Sequence, residues 1–532
     1  MKTVRCTICH LQATTSPSDI YRVLYDNLTS LIVLSGENQI APDDSITFQP
    51  MITNRLFIDN KWVDSVSGKT FDTYNPHDGS VIASVAEGDK ADIDLAVAAA
   101  RRAFQRNSEW RLLDASQRGQ LLFKFAELVE RDADYISQLE THNNGMLLAN
   151  CKLFIGQSGA YIRYLASLAD KVQGSTIPLN GEVFSYTLKQ PVGVCGLILP
   201  WNGPVLMFIW KVVTALAAGC TVVVKPAEQT PLTALVLASL LAEAGVPPGV
   251  VNVVNGYGET AGVALTHHPD VAKISFTGSL EVGKLIQQAA GANNLKRVTL
   301  ELGGKSPLVI MNDADLNLAV PYAANSVFCH QGQVCVAASR LFVQSGIYDE
   351  FVKRAAEYAK SIKIGAPTDL TSQHGPQIDQ MMLTKILGYI EKGKQQGAKL
   401  LAGGKRVGNK GFYIEPTVFA DVTDDMIIAR EEIFGPVQSI LKFDTLEEVI
   451  DRANDTEYGL AAGIFTTNLN TALQFSKHSE AGTVWVNNYL TMGPQAPFGG
   501  FKNSGVHREN GSDCLEAYME VKTVTIALPK KI

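Results

Sequence analysis

The sequence predicts an α/β protein built on parallel sheets covered by helices on both faces. Three observations predict it. Short apolar runs rich in β-branched residues alternate with amphipathic stretches through the middle of the chain. Those runs are apolar throughout rather than alternating, as strands buried on both faces must be. The segments that follow the runs carry chemistry-bearing residues, and parallel sheets bind ligands beyond the carboxyl ends of their strands.

The elements follow in order. Residues 56–62 read as a hairpin turning at Asp59-Asn60. Residues 92–104 and 115–131 read as amphipathic helices. Residues 173–190 break the α/β rhythm, with Pro178-Leu179-Asn180-Gly181 as a hairpin signal. A strand is expected at 192–199, then a helix at about 207–218 ended by Gly219. Strands at 221–224, 250–254 and 273–276 alternate with helices at 233–244 and 280–290. A second alternating run extends from 306 to about 486, and 521–526 is a β-type tail. The β pieces at 173–190 and 521–526 need a partner; each other is one possibility, which would create an edge for self-association.

Residues 1–52 read as an appendage, with a helix at 20–27 and a polar end at 35–44. Cys6-Thr7-Ile8-Cys9-His10 matches the c-type haem attachment pattern. It reads as coincidence, because no second ligand pair and no export signal accompany it. No metal site is expected.

Composition narrows the function classes. Of 532 residues, 46% are apolar and 19% charged, which suits large cores and excludes a mainly disordered chain. A net charge of −7 gives no reason to expect nucleic acid. Eight dispersed cysteines point to a reducing compartment. The most apolar stretch, 204–224, is interrupted by Lys211 and Gly219, so no membrane span is expected. With no apolar signal core after Lys2 and Arg5, the expected location is cytoplasmic.

Several motifs carry chemistry. Gly256-Tyr257-Gly258-Glu259-Thr260-Ala261-Gly262 resembles a dinucleotide-binding glycine fingerprint with one residue too many. Gly278-Ser279 through Gly283-Lys284-Leu285 matches a phosphate loop until Leu285, which cannot hold Mg²⁺; a helix N-terminus suited to anions remains. Lys225-Pro226-Ala227-Glu228 puts a cation and a carboxylate at a strand mouth, able to bond ribose hydroxyls. Cys335 follows Gln331-Gly332-Gln333-Val334 in a loop, where a thiolate could attack a carbonyl. Cys329 and Cys220 read as small buried hydrophobes. Glu301, beside Gly303-Gly304, fits a general base, and Asn202 could donate its amide to an oxyanion.

Taken in order, Pro200-Trp201-Asn202, Lys225-Pro226-Ala227-Glu228, Phe276-Thr277-Gly278-Ser279, Glu301-Leu302-Gly303-Gly304-Lys305, Gly332-Gln333-Val334-Cys335, Glu432-Ile433-Phe434-Gly435-Pro436 and Pro497-Phe498-Gly499-Gly500-Phe501-Lys502 make residues 55–528 resemble the aldehyde dehydrogenase superfamily. The resemblance implies a Rossmann-like coenzyme domain over 53–172 and 192–302 and a catalytic domain over 303–503. It implies oligomerisation β segments at 173–191 and 504–532, leaving 1–52 as an extension of unknown role. It implies Cys335 as nucleophile, Asn202 and the Cys335 N–H as oxyanion hole, and Glu301 as activator of the hydrolytic water. Members that transfer the acyl group to coenzyme A typically lack that glutamate, so a free acid is the expected product. Coenzyme contacts fall to Trp201, Lys225, Glu228, Gly258, Gly278, Ser279, Glu432 and Phe434. Glu228 repels a 2′-phosphate, so NAD is expected over NADP.

The implied substrate tunnel is lined by Met207, Trp210, Val334, Val336, Met492 and Phe498, all apolar, which favours a hydrophobic aromatic or medium-chain aldehyde. Gly203 stands where many relatives carry a bulky aromatic, and Val506-His507 where they often have a small residue and glycine. The expected partners are the aldehyde and further copies of the chain, as homodimer or homotetramer. A non-catalytic binding protein on the same fold would be expected to lose Cys335, Glu301 or Asn202, and all three are present. Ester hydrolysis by Cys335 is a second reading, as a side activity.

Overall fold

The protein is described here by a computed structural model covering residues 54–529. The readings at 20–27 and at Cys6, Cys9 and His10 lie outside the described residues.

Two sheets carry the fold. Arg297–Glu301, Lys273–Thr277, Val194–Ile198, Thr221–Lys225 and Val251–Val253 lie side by side and parallel in the first. Antiparallel pieces finish its edges: Gly505–Val506 beside Arg297–Glu301, and the hairpin Leu56–Ile58 and Lys61–Val63 beside Val251–Val253. The hairpin turns through Asp59 and Asn60 at φ 57° and 55°, a left-handed pair that Asp and Asn tolerate. Val194–Ile198, Thr221–Lys225 and Lys273–Thr277 are buried at every residue, which is why their sequences do not alternate.

The chain leaves the first sheet after Arg297–Glu301 and builds a second of seven strands, in which Pro307–Ile310 lies between Arg340–Gln344 and Ala461–Phe465. Its core packs Val309, Phe342 and Leu441 with Leu383, Ile386 and Ile390 of helix Gln380–Gln395. Phe342 is wholly buried, so truncation to alanine would cost about 3–5 kcal/mol. The chain then returns to the first sheet at Gly505–Val506.

The two orphan β pieces do pair with each other. Val183–Pro191 runs antiparallel to Met519–Ala527 along its whole length, and Thr176–Ile177 adds a third strand through the expected hairpin. Among the described residues no helix is long and apolar enough to cross a membrane.

Helix ends follow capping chemistry. Asp89 and Asp92 form a reciprocal box at the start of Lys90–Ala103, and Gly245 at φ 100° ends Leu232–Ala244. One element differs from expectation. The helix expected over 207–218 begins at Pro204, because proline suits a first helical position, and it is interrupted by a π turn at Ile209–Val213. Lys211 sits in the middle of that turn.

Candidate active site

Asn202, Glu301 and Cys335, far apart in sequence, line one cavity of about 380 Å³. Glu301 is the last residue of Arg297–Glu301, so the strand delivers its side chain at the carboxyl edge of the sheet. Asn202 lies in the turn after Val194–Ile198 and before helix Pro204–Phe208. Its Nδ2 donates to the Gln333 carbonyl at 2.9 Å, two residues before Cys335.

The Cys335 loop is shaped by backbone that sequence patterning did not reveal. His330, Gln331 and Gly332 take φ of 46°, 57° and 73° in succession. A Cβ on Gly332 would sit 2.1 Å from the Gly435 carbonyl, so glycine is required there for space as well as conformation. The buried Gln333 braces the loop, its Oε1 accepting from the Ile378 N–H at 2.9 Å. On the far side, the Tyr489 hydroxyl donates to the Val336 carbonyl at 2.9 Å.

Burial raises both carboxyls on the cavity wall. Glu301 is 4% exposed, with Oε1 unpartnered. Burial, reinforced by Glu509, pushes it up to about 8, while the Cys335 thiol, Lys211 and the Thr277 hydroxyl pull the other way. Burial, and then the facing Glu301, hold the Cys335 thiol well above its ordinary value. Glu432 is pushed up to about 7 by burial, although it accepts from the Gly304 N–H at 2.9 Å. A Cβ on Gly303 would meet its Oε2 at 2.1 Å, so the glycine pair makes the room that Glu432 occupies.

Trp201, Gly278, Ser279, Glu432 and Phe434 line the same cavity, and Trp201 meets Phe434 edge to face at 5.3 Å between ring centroids. Ser279 caps helix Leu280–Ala292, its hydroxyl accepting from the Val282 N–H at 3.4 Å. All six expected tunnel residues, Met207, Trp210, Val334, Val336, Met492 and Phe498, are on the wall, with Trp210 and Phe498 packed ring to ring at 5.4 Å. Lys225, Glu228 and Gly258 are not on it. Lys225 ends Thr221–Lys225, and its buried Nζ donates to the Pro226 carbonyl at 2.8 Å and to Glu228 Oε2 at 3.4 Å; Gly258 opens the turn Gly258–Gly262, where a Cβ on Gly262 would lie 3.7 Å from the Lys225 side chain. Space beside Gly258 is open, with nothing within 4 Å of a Cβ there.

Sequence reasoning missed several wall and support residues. Cys329, read as a packing residue, lines the cavity instead, because the left-handed run after it turns the chain at that point. Cys220 is fully buried, as read. Lys211 is wholly buried, paired with Glu509 and donating to the Ser275 hydroxyl at 3.1 Å. A lysine inside an apolar helix was the available signal, since such a charge must find a partner.

The sequence profile of the aldehyde dehydrogenase family matches residues 62–524. The chain belongs to the aldehyde dehydrogenase family. It is 58% identical to aldehyde dehydrogenase 1A1 of Mesocricetus auratus over 478 residues, 90% of this chain and 95% of the relative. Identity to the cytosolic aldehyde dehydrogenase 1 of Rattus norvegicus is 57%, with the same coverage. Among solved structures, an NAD⁺ complex of a Bacillus cereus aldehyde dehydrogenase superposes with a TM-score of 0.88 at 44% identity, covering 91% of this chain and 97% of that one. A cysteine-to-alanine mutant of a P. syringae indole-3-acetaldehyde dehydrogenase, solved with NAD⁺ and IAA, gives 0.88 at 41% identity, covering 90% and 97%. The expected fold, with a Rossmann-like coenzyme domain and a catalytic domain, is therefore that of the family.

Proposed function

We propose that this aldehyde dehydrogenase oxidises a hydrophobic aldehyde, aromatic or medium-chain aliphatic, to the carboxylic acid through a thiohemiacetal and then a thioester on Cys335. The observation that carries the reading is the convergence of Cys335, Glu301 and Asn202 on one largely apolar cavity.

The residues fit NAD at both ends of the molecule. Glu228, paired with Lys225 at the end of Thr221–Lys225, offers a carboxylate for a ribose 2′-hydroxyl. Ser279 opens a helix N-terminus suited to the pyrophosphate. Glu432, buried in its glycine cradle, is an acceptor for the second ribose, and Trp201, Gly278 and Phe434 flank it on the wall. Bound NAD supplies the hydride acceptor.

The chain's own residues do the rest. The Cys335 thiol releases its proton to water in the cavity, and its sulfur adds to the aldehyde carbon. The Asn202 amide has a second N–H beyond the one given to Gln333, and with the Cys335 N–H it holds the oxygen that becomes negative. Once hydride has left, the acyl group remains on sulfur. Glu301 takes a proton from water, which attacks the thioester, and the acid departs with Cys335 restored.

The domain assignments read from the sequence are carried forward as part of this reading. We also propose that the chain assembles as a homodimer or homotetramer through the three-stranded sheet, where Phe184, Leu188, Val521 and Ile526 are exposed. A cytoplasmic location is supported by the cytosolic relative. The test is turnover with NAD or NADP across short aliphatic, long aliphatic, benzaldehyde-like, phenylacetaldehyde-like and betaine aldehydes. NADH formation that favours the apolar aldehydes supports the reading. Preference for betaine aldehyde, or no turnover from folded protein, contradicts it.

A further inference from the structure

One glycine on the cavity wall is required neither by its backbone nor by its neighbours. Among the described residues, Gly203, Gly278 and Gly303 line the cavity. At two of them a side chain has no room: a Cβ on Gly278 would lie 2.3 Å from the Phe276 ring, and one on Gly303 would lie 2.1 Å from Glu432. Gly203 is different. A Cβ there would meet the Leu206 Cβ at 4.0 Å and nothing nearer, which is ordinary contact. Its φ of −148° is open to any residue. Capping does not call for glycine either. Gly203 is the N-cap of helix Pro204–Phe208 and gives it no side-chain hydrogen bond, which Ser, Thr, Asn or Asp would supply. What the missing side chain leaves is space.

That space belongs to the cavity. Gly203 and its neighbour Leu206 are both half-buried and both line the wall. The space also lies close to the chemistry. Gly203 follows Asn202 directly, so its Cα is about 3.8 Å from that of the residue whose amide holds the aldehyde oxygen. A group seated there belongs to the first few carbons of the aldehyde and not to its far end. The residues that follow, Val205, Leu206 and Met207, are apolar and line the cavity too. We propose that Gly203 is a specificity-determining residue, whose missing side chain opens a lateral pocket for an apolar branch or ring carried on the carbon next to the aldehyde group. The proposal rests on the reading of Cys335 as the site of aldehyde addition. A linear aldehyde leaves the pocket empty; an α-branched one fills it, and each methylene buried there adds to binding.

The test uses the full chain carrying Cys335→Ala, which cannot form the covalent adduct, with NAD added. Binding of n-octanal and its isomer α-ethylhexanal, and of phenylacetaldehyde and diphenylacetaldehyde, is followed by titration calorimetry. Adding Gly203→Leu fills the pocket and is expected to lower the branched-to-linear affinity ratio by about tenfold, the scale of discrimination by one or two methylenes in an apolar pocket. Gly203→Ala should lower the same ratio by about threefold. It decides the matter if the leucine variant fails to fold, since a Cβ has room there. A ratio that neither substitution moves, including one where both aldehydes weaken together, overturns the proposal. So does failure of the branched aldehydes to bind when glycine is present. Turnover of the same pairs with Cys335 intact is read in parallel. A glycine-dependent ratio without turnover contradicts the oxidation reading and leaves the pocket standing; turnover with a ratio that ignores residue 203 overturns the pocket alone.

Discussion

The Asn202 side-chain amide donates to the Gln333 carbonyl at 2.9 Å, tying the turn before helix Pro204–Phe208 to the loop that presents Cys335. One side chain therefore braces the nucleophile's loop and keeps a second N–H for the reacting oxygen. Asn202→Ala removes both. Steady-state kinetics should show kcat lower by about 10²–10³-fold, the usual loss for one oxyanion donor. An unchanged kcat would place the oxyanion elsewhere.

Glu301 gives the pH dependence. Its carboxyl titrates at about 8, raised by burial and then by Glu509, so it is protonated below that pH and a base above it. Steady-state turnover should rise with pH through about 8 and level off beyond. Glu301→Gln should remove that limb and lower the steady rate by about 10²-fold or more while the first turnover still releases NADH. A pH profile that is the same in both proteins would take the base role away from Glu301.

Glu228 governs coenzyme choice. Its carboxylate, partnered by Lys225 at 3.4 Å, is suited to a ribose hydroxyl and repels a phosphate. Glu228→Gln should raise the NADP-to-NAD ratio of kcat/KM by about tenfold, on the order of one lost charge repulsion in partly screened surroundings. A ratio that does not move would show that another group selects the coenzyme.

His507 holds φ at 89°, a conformation that suits glycine. Its Nε2 is buried without a partner. His507→Gly should relieve strain and stabilise the fold by about 1 kcal/mol, read as a rise in unfolding midpoint. A fall would mean that the packing of the imidazole outweighs the strain.

The sequence was most legible where the physics is local. Asp59-Asn60 announced its turn because both residues tolerate left-handed backbone, and the buried strands announced themselves by unbroken apolar runs. Glu301 ends a strand and Asn202 follows one, while Cys335 sits in the loop between helix Leu316–Phe328 and strand Arg340–Gln344; each was legible within a motif of fixed order. What stayed hidden depends on contacts across the chain. Lys211 and Glu509 form a pair separated by 298 positions, and neither flank names the other. Cys329 reaches the cavity only because His330 and Gln331 turn left-handed, which their residue types do not demand. Glu140 meets the Val205 N–H only because helix Ala133–Asn144 packs beside the segment holding Gly203 and Val205.

The central claim is a thioester on Cys335. Glu301→Gln protein mixed with NAD and an apolar aldehyde, quenched in acid after the first turnover and digested, can be read by mass spectrometry. The account predicts an acyl adduct on the peptide containing Cys335, formed in step with NADH and absent from Cys335→Ala. NADH released with no adduct there, or an acyl group carried on Cys329 or Cys151 instead, would contradict it.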